Sequence, residues 1–453
     1  MTRVTIAVLC CVLTISLGHA AGGVSVADYR SIKDAIAANP GRTLYVPPGD
    51  YTISEQIRLN TDNSGLVGPG RIIQTNPDVP IIQIERAANV QVRDLTLTRP
   101  EGKMDTKAEG LLALNCTNLV VANLQVIDNR TRSAAIALRE CVSCDVRDCF
   151  IHNYMTISVD DRTGNKELYG YAFNCIDGSG ISLGACRQAM VRGNRIIETH
   201  LLPTREVQKQ YDLGRVIKRI AEKPPGTREE NWKAEYVENW HQGSAIVVTS
   251  PEVADHTQII GNSIENAAQG IDIHADHVIV AQNIVNNAFI GMKAMHGSRQ
   301  VLVLGNQFCR IDLWGVLLTP GSASHLAVPA QDGRPARVTN LDGGSIIAHN
   351  IFSDLGYGNA YWIWGAVDHS RCAILLESAR TPGGPKLRDV VIEGNVVYDP
   401  GPDEVLVDGK PTKLPPRYKY AVIVTPPGPE GLHFANNILA PGADGVCNVE
   451  MTP

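Results

Sequence analysis

A short pattern recurs from one end of this chain to the other, and that repeat limits the fold more than any other feature. It reads apolar, x, small, Asn or Asp, then apolar residues. Copies centre on Asp94, Asn123, Asp148, Asn194, Asn262, Asn283, Asn306, Asn350, Asn395 and Asn437. Most successive spacings are one or two multiples of about 22 residues. A second pattern, small-apolar-x-apolar-x, runs in phase at 135–139, 156–160, 180–184, 245–249, 270–274, 291–295, 315–319, 373–377 and 421–425. A unit this short cannot bury its apolar face alone. Stacked units can, with each strand bonded in parallel to those above and below at about 4.8 Å. The chain is therefore expected to be all-β, a parallel solenoid of two- or three-stranded coils. The recurring Asn suits a left-handed turn, and Asn side chains in register can bond to one another.

Ahead of the repeats, Arg3 precedes an apolar run over 4–17, and Gly18 and Ala20 are small residues before a cleavage point. This is the pattern of a secretory signal peptide. Residues 1–20 are expected to be removed, leaving 21–453 as a single domain that is periplasmic or secreted. The run is short for a membrane span, and no later segment resembles one. Of the eleven cysteines, nine follow the cut, an odd number, so at least one is unpaired or pairs between chains. They are expected to be mostly buried core residues with a disulfide or two. Cys141 and Cys144 form a CxxC, but no second ligand pair completes a zinc site. The net charge of −6 and the lack of a basic block argue against nucleic acid as the main partner.

A helix is expected at 31–38, leading into Val46-Pro47-Pro48-Gly49-Asp50-Tyr51. That helix, the following motif and the repeats resemble the pectate-lyase-like right-handed parallel β-helix superfamily over nearly the whole mature chain. The resemblance implies an N-terminal capping helix and a carbohydrate-active protein: a lyase, a hydrolase, an epimerase or a non-catalytic adhesin. The repeat breaks at about 200–240, where helices are expected at 212–223 and 228–239 around Pro224-Pro225-Gly226. Smaller breaks fall at 320–344, 357–370 and 399–417. Long insertions in a solenoid become loops on its faces, often on the functional one.

Strand alternation turns the second pattern into a map of the outer face. One outward column runs Ala137, Ser158, Ser182, Val247, Asp272, Lys293, Leu317, Leu375, Ile423. The next runs Arg139, Asp160, Gly184, Thr249, His274, Met295, Thr319, Glu377, Thr425. Asp272 and Lys293 should thus be neighbours on adjacent coils, with His274 beside Asp272, and Arg139 and Asp160 should pair lower down. An acid, an imidazole and an amine set among small and apolar positions suit proton transfer. In a uronate lyase a base takes the C5 proton, an acid protonates the leaving oxygen, and a cation neutralises the carboxylate. An unperturbed imidazole titrates near neutrality. His274 is therefore the expected base, and Lys293 the neutralising group or proton donor.

The segment Gly270-Ile271-Asp272-Ile273-His274-Ala275-Asp276 resembles the Gly-Ile-Asp-Pro-His-Asp segment of alginate C5-epimerases, which places that family's catalytic Asp and His on Asp272 and His274. Here Ile273 replaces the Pro, and Ala275 separates His274 from Asp276. Trp240 and His241, where the large insertion rejoins the coils, are expected to touch substrate, as are Arg139, Asp160, His296 and Arg299. Trp232, Trp314, Trp362 and Trp364 also lie in or beside the breaks, where aromatic faces can pack on sugars. The expected function is β-elimination on a uronate-containing polysaccharide. The alternatives are C5 epimerisation, inverting hydrolysis through Asp160, Asp161 or Asp272, and carbohydrate binding without catalysis. Calcium is the cofactor that the resemblance implies, though no ligand set for it is recognisable.

Overall fold

A computed structural model describes residues 23–163, 171–217, 236–237, 240–321, 324–331, 333, 335–357, 371–377, 385–398, 405–412 and 416–451. The expected signal segment, Trp232, Trp362, Trp364 and the expected helix at 228–239 lie outside these residues, apart from Tyr236 and Val237. Three parallel sheets of 13, 12 and 12 strands make the body, with each coil giving one strand to each sheet in turn. This is the parallel β-helix that the repeats require. One 12-stranded sheet, from Ile57–Leu59 to Gly445–Cys447, is called the front sheet below. The interior is a continuous apolar core from Val26 to Phe434.

The helix Ile32–Ala38 caps the first coil. The Ser31 side chain accepts from Asp34 N, and Ile32 and Ala35 are buried. It leads into the strand Thr43–Tyr45. Among the described residues, no helix is long and apolar enough to cross a membrane.

Asn194, Asn262, Asn283, Asn306, Asn350 and Asn395 are buried. Each Nδ2 donates to the Oδ1 of the next Asn at 2.9–3.0 Å, ending on Asn437. Each also donates to a backbone carbonyl, as Asn283 does to Ile259 O at 2.9 Å. The left-handed turn position, however, belongs to the residue before the Asn: Gly193, Gly261, Gln282, Gly305, His349, Gly394 and Asn436. In the lower coils Asp94, Asn123 and Asp148 themselves hold that position, with Leu95, Leu124 and Cys149 buried behind them. The repeat is therefore offset by one residue between the two halves. Gly, Gln or His can occupy the left-handed turn once Asn moves inward to satisfy the buried backbone.

Three further expectations need correction. Residues 156–160 are not a rung of the front sheet. Thr156–Asp161 pairs antiparallel with Ala172–Asp177, which pairs with Val216–Ile217, as a small sheet standing off the solenoid. A strand with one apolar edge satisfies the same local pattern wherever it packs. The helix expected at 212–223 is absent from its described part. A helix runs instead over Arg205–Tyr211, and Asp212 ends it in the left-handed conformation with Gly214 just beyond. The expected disulfides do not form: all nine described cysteines are free, although seven are buried as expected.

Candidate functional site

The front-sheet strands Gln269–Ile273 and Ile290–Met295 lie side by side with Asp272 in register with Lys293. Their small residue is required by close approach. A Cβ on Gly270 would sit 2.4 Å from Gly291 O and 2.7 Å from the Val285 side chain. Ile271 and Ile273 then point inward and Asp272 outward. The outward column reads Ala137, Ser182, Val247, Asp272, Lys293, Leu317, Leu375, Ile423, with Ser158 removed from the expected series.

Asp272 stands between two cationic or potentially cationic groups. Its Oδ2 is 3.2 Å from Lys293 Nζ, and its Oδ1 is 3.0 Å from His274 Nε2. The Asp272 side chain is 9% exposed, while His274 and Lys293 keep 19% and 16%. Burial alone would raise the Asp272 carboxyl, but His274 and Lys293 together outweigh it and hold the group below the usual carboxylate range. The ring of His296, from the next coil, meets the His274 ring edge-on at 4.7 Å. The structure thus brings Asp272, His274 and Lys293 together in the expected register and places His296 beside them.

Arg139 and Asp160 are not neighbours in the front sheet. Arg139 is in register with Gly184, and its guanidinium binds Glu109 at 2.9 Å. Asp160, on the small antiparallel sheet, binds Arg162 at 2.7 Å, and Arg162 reaches Gln242 at 3.2 Å. Arg132 contacts Asp177 at 3.1 Å and Asp160 at 4.0 Å. Burial pushes the Asp177 carboxyl up. These groups form a second charged cluster, reaching Gln242 just before the strand Ser244–Thr249, one rung below Asp272.

Trp240 and His241 do not face a substrate. Both are 0% exposed, and burial holds the His241 imidazole down at about 3, so it is neutral. They anchor the root of the insertion instead. Trp314 is likewise buried, among Phe289, Ile290 and Leu317. Arg299 is bound to Asp276, with Nε at 2.9 Å, and belongs to the turn leaving the front sheet.

Gln269 was not singled out by the sequence. It is buried, its Oε1 has no hydrogen-bond partner, and it lies in register between Ser244 and Ile290. Its only sequence signal is its place before the small residue.

Two structures flank this stretch of the front sheet. Where the chain enters it stands the small antiparallel sheet, packed around Tyr171, Phe173 and Cys175. Where the chain leaves it, the segment after Thr319 folds back on itself through the bridges His325–Asn340 and Val328–Arg337. Its His325 Nε2 lies 3.7 Å from Glu252 Oε1, and its Asn340 Nδ2 donates to His296 O at 3.1 Å. Calcium prefers a cage of six to eight oxygens. Asp272 faces a Lys and a His, so the triad does not fit that ion.

Among solved structures, DFA-IIIase from Arthrobacter chlorophenolicus A6 matches with a TM-score of 0.57 at 12% identity, over 95% of this chain and 99% of that one. The mannuronan C-5 epimerase AlgE4 A-module from Azotobacter vinelandii matches at 0.50 and 12% identity, over 94% and 98%. The Dettilon tailspike protein matches at 0.55 and 13% identity, over 92% of this chain and 64% of that one. The chain shares its parallel β-helix fold with these structures. No protein-family model matches the sequence, and no curated protein matches it.

Proposed function

We propose that this chain is a periplasmic or secreted polysaccharide-active enzyme that abstracts the C5 proton of a uronate and completes β-elimination. The observation that carries the reading is the Asp272–His274–Lys293 cluster on the front sheet, half-sheltered between two projecting structures. Asp272 Oδ1 lies 3.0 Å from His274 Nε2 without an aligned hydrogen bond, and its charge favours the Nε2–H tautomer, which leaves the lone pair on Nδ1. Nδ1 is then the base that takes the C5 proton. The Lys293 ammonium neutralises the substrate carboxylate and so makes that proton acidic. The C5–H electrons form the C4=C5 bond, the C4–O bond breaks, and the leaving oxygen takes a proton from Lys293. Asp272 stays ionised throughout and orients both partners. His296 packs against the base, and Arg139, with the Asp160 cluster, offers contacts to flanking sugars.

The fold is shared with a mannuronan C-5 epimerase, whose name places its reaction at the same carbon. Reprotonation of C5 from the opposite side would make this chain an epimerase with the same base. A hydrolytic reading rests on Asp160 and Asp177, two acids around Arg132, of which burial raises Asp177. Absorbance of unsaturated uronates, followed on a panel of acidic polysaccharides, tests the proposal. A rise on one substrate, lost in His274→Ala and Lys293→Ala, supports elimination. New reducing ends without that absorbance move the reaction to the carboxylates. Neither signal leaves epimerisation or binding without catalysis.

A further inference from the structure

A second cluster of chemistry-bearing side chains lies outside the triad, on the turns that carry the chain from the front sheet to the 13-stranded sheet. In successive coils one residue of this turn is left-handed: Asn89, Asn118, Ser143, Gln188, His256, His277 and Gln300. In the lower coils these side chains make ordinary ladder bonds, Asn118 to Asn89 at 3.2 Å and Ser143 to Gln188 at 3.1 Å. At His256 and His277 the ladder changes character. The two imidazoles stack at 4.7 Å with 13° between their planes, which is the spacing of adjacent coils. Both Nδ1 atoms turn to one carboxylate. His277 Nδ1 lies 2.6 Å from Asp255 Oδ1, and His256 Nδ1 lies 2.9 Å from Asp255 Oδ2.

The three donor atoms lie within 4.8 Å of one another. The side chains of Asp255, His256 and His277 are 36%, 63% and 42% exposed, so water can reach them and complete a coordination shell. Two imidazole nitrogens and one carboxylate oxygen are ligands for zinc, nickel or copper, and are poor ligands for calcium or magnesium. The fixed coil spacing holds the two nitrogens ready. A small movement of the carboxylate would let one ion sit about 2.0–2.1 Å from each nitrogen.

We propose that Asp255, His256 and His277 form a binding site for one divalent transition-metal ion, which clasps two successive turns of the solenoid beside the candidate active site. Each ligating Nδ1 gives up its proton as the metal binds, so the ring proton moves to Nε2 or to solvent. The ion would brace the turn that begins at His274, because Asp255 is bridged to Asp276. No step of the proposed catalysis depends on it.

The test is calorimetric titration of the metal-stripped full chain with zinc alone, together with its thermal unfolding. The variant is His256→Asn/His277→Asn. It should fold, because Asn holds the same left-handed position at Asn89 and Asn118. The wild type is expected to take up one zinc per chain and to unfold at a higher temperature with zinc. The double variant is expected to lose both effects while its metal-free unfolding stays unchanged. Asp255→Asn, which keeps both rings, should weaken uptake at least tenfold. No zinc uptake by the wild type, undiminished uptake by the double variant, or displacement of zinc by excess calcium would overturn the proposal.

Discussion

Replacing Asp272 by Asn should cost stability because it strands a cation against the front sheet. Asp272 Oδ2 and Lys293 Nζ are 3.2 Å apart on adjacent rungs. At an effective dielectric near 20, that attraction is roughly 5 kcal/mol before desolvation is charged against it. An exposed pair nets about 0–1 kcal/mol, whereas removing one partner of a buried pair costs about 3–5 kcal/mol. Lys293 keeps a narrow opening to solvent, with 16% of its side chain exposed, which places the effect at the low end. The expected loss for Asp272→Asn is about 3 kcal/mol. Lys293→Met in the same background should restore part of it, with a coupling of about 2 kcal/mol in the double-mutant cycle. Guanidinium unfolding of the four proteins gives these values. A depressed carboxyl contributes stability above its unfolded value near 3.9 and loses it as pH falls through the lower folded value. The difference between wild type and Asp272→Asn should therefore be full at neutral pH and shrink below about pH 4. A loss under about 1 kcal/mol, with no coupling, would mean that Asp272 and Lys293 form only an ordinary surface pair.

Two further outcomes test the scaffold. Asn283 is fully buried, donates to Ile259 O and Asn306 Oδ1, and accepts from Asn262. Asn283→Leu should cost at least about 3 kcal/mol in chemical unfolding, since several buried groups lose partners worth about 1–3 kcal/mol each; a loss under about 1 kcal/mol would contradict the ladder's role. Burial pushes the Asp312 carboxyl up to about 6, with Arg371 and Arg417 pulling it back only part of the way. A raised carboxyl favours folding below its unfolded value near 3.9 and loses that contribution as pH rises through about 6, a swing of roughly 3 kcal/mol. Asp312→Asn should flatten the stability profile between about pH 4 and 6, and an unchanged slope would count against the burial.

Register was the part of the site most legible in the sequence. A strand period of two and a coil of 21 residues fix which side chains face outward and which stack, so the spacing alone pairs Asp272 with Lys293. The pattern fails where a segment is locally identical but packs elsewhere. Thr156–Asp161 alternates like a rung, yet it joins a separate antiparallel sheet, and Asp160 leaves Arg139 with it. Trp240 and His241 mark the root of an insertion, but an aromatic there can stack on a sugar or plug the core, and only burial decides. The Arg162–Gln242 contact joins residues 80 apart through a fold-dependent approach, which no local pattern encodes.

The proposed function rests on removal of a proton from C5 of a uronate by the Asp272–His274–Lys293 cluster. Proton NMR of acidic polysaccharides incubated with the protein in deuterium oxide reads that step directly, whichever product follows. The H5 signal of one polysaccharide is expected to disappear, by exchange for deuterium or by formation of an unsaturated end. His274→Ala should abolish the change. Intact H5 signals alongside new reducing ends, or equal loss of H5 in His274→Ala, would rule out proton abstraction by His274.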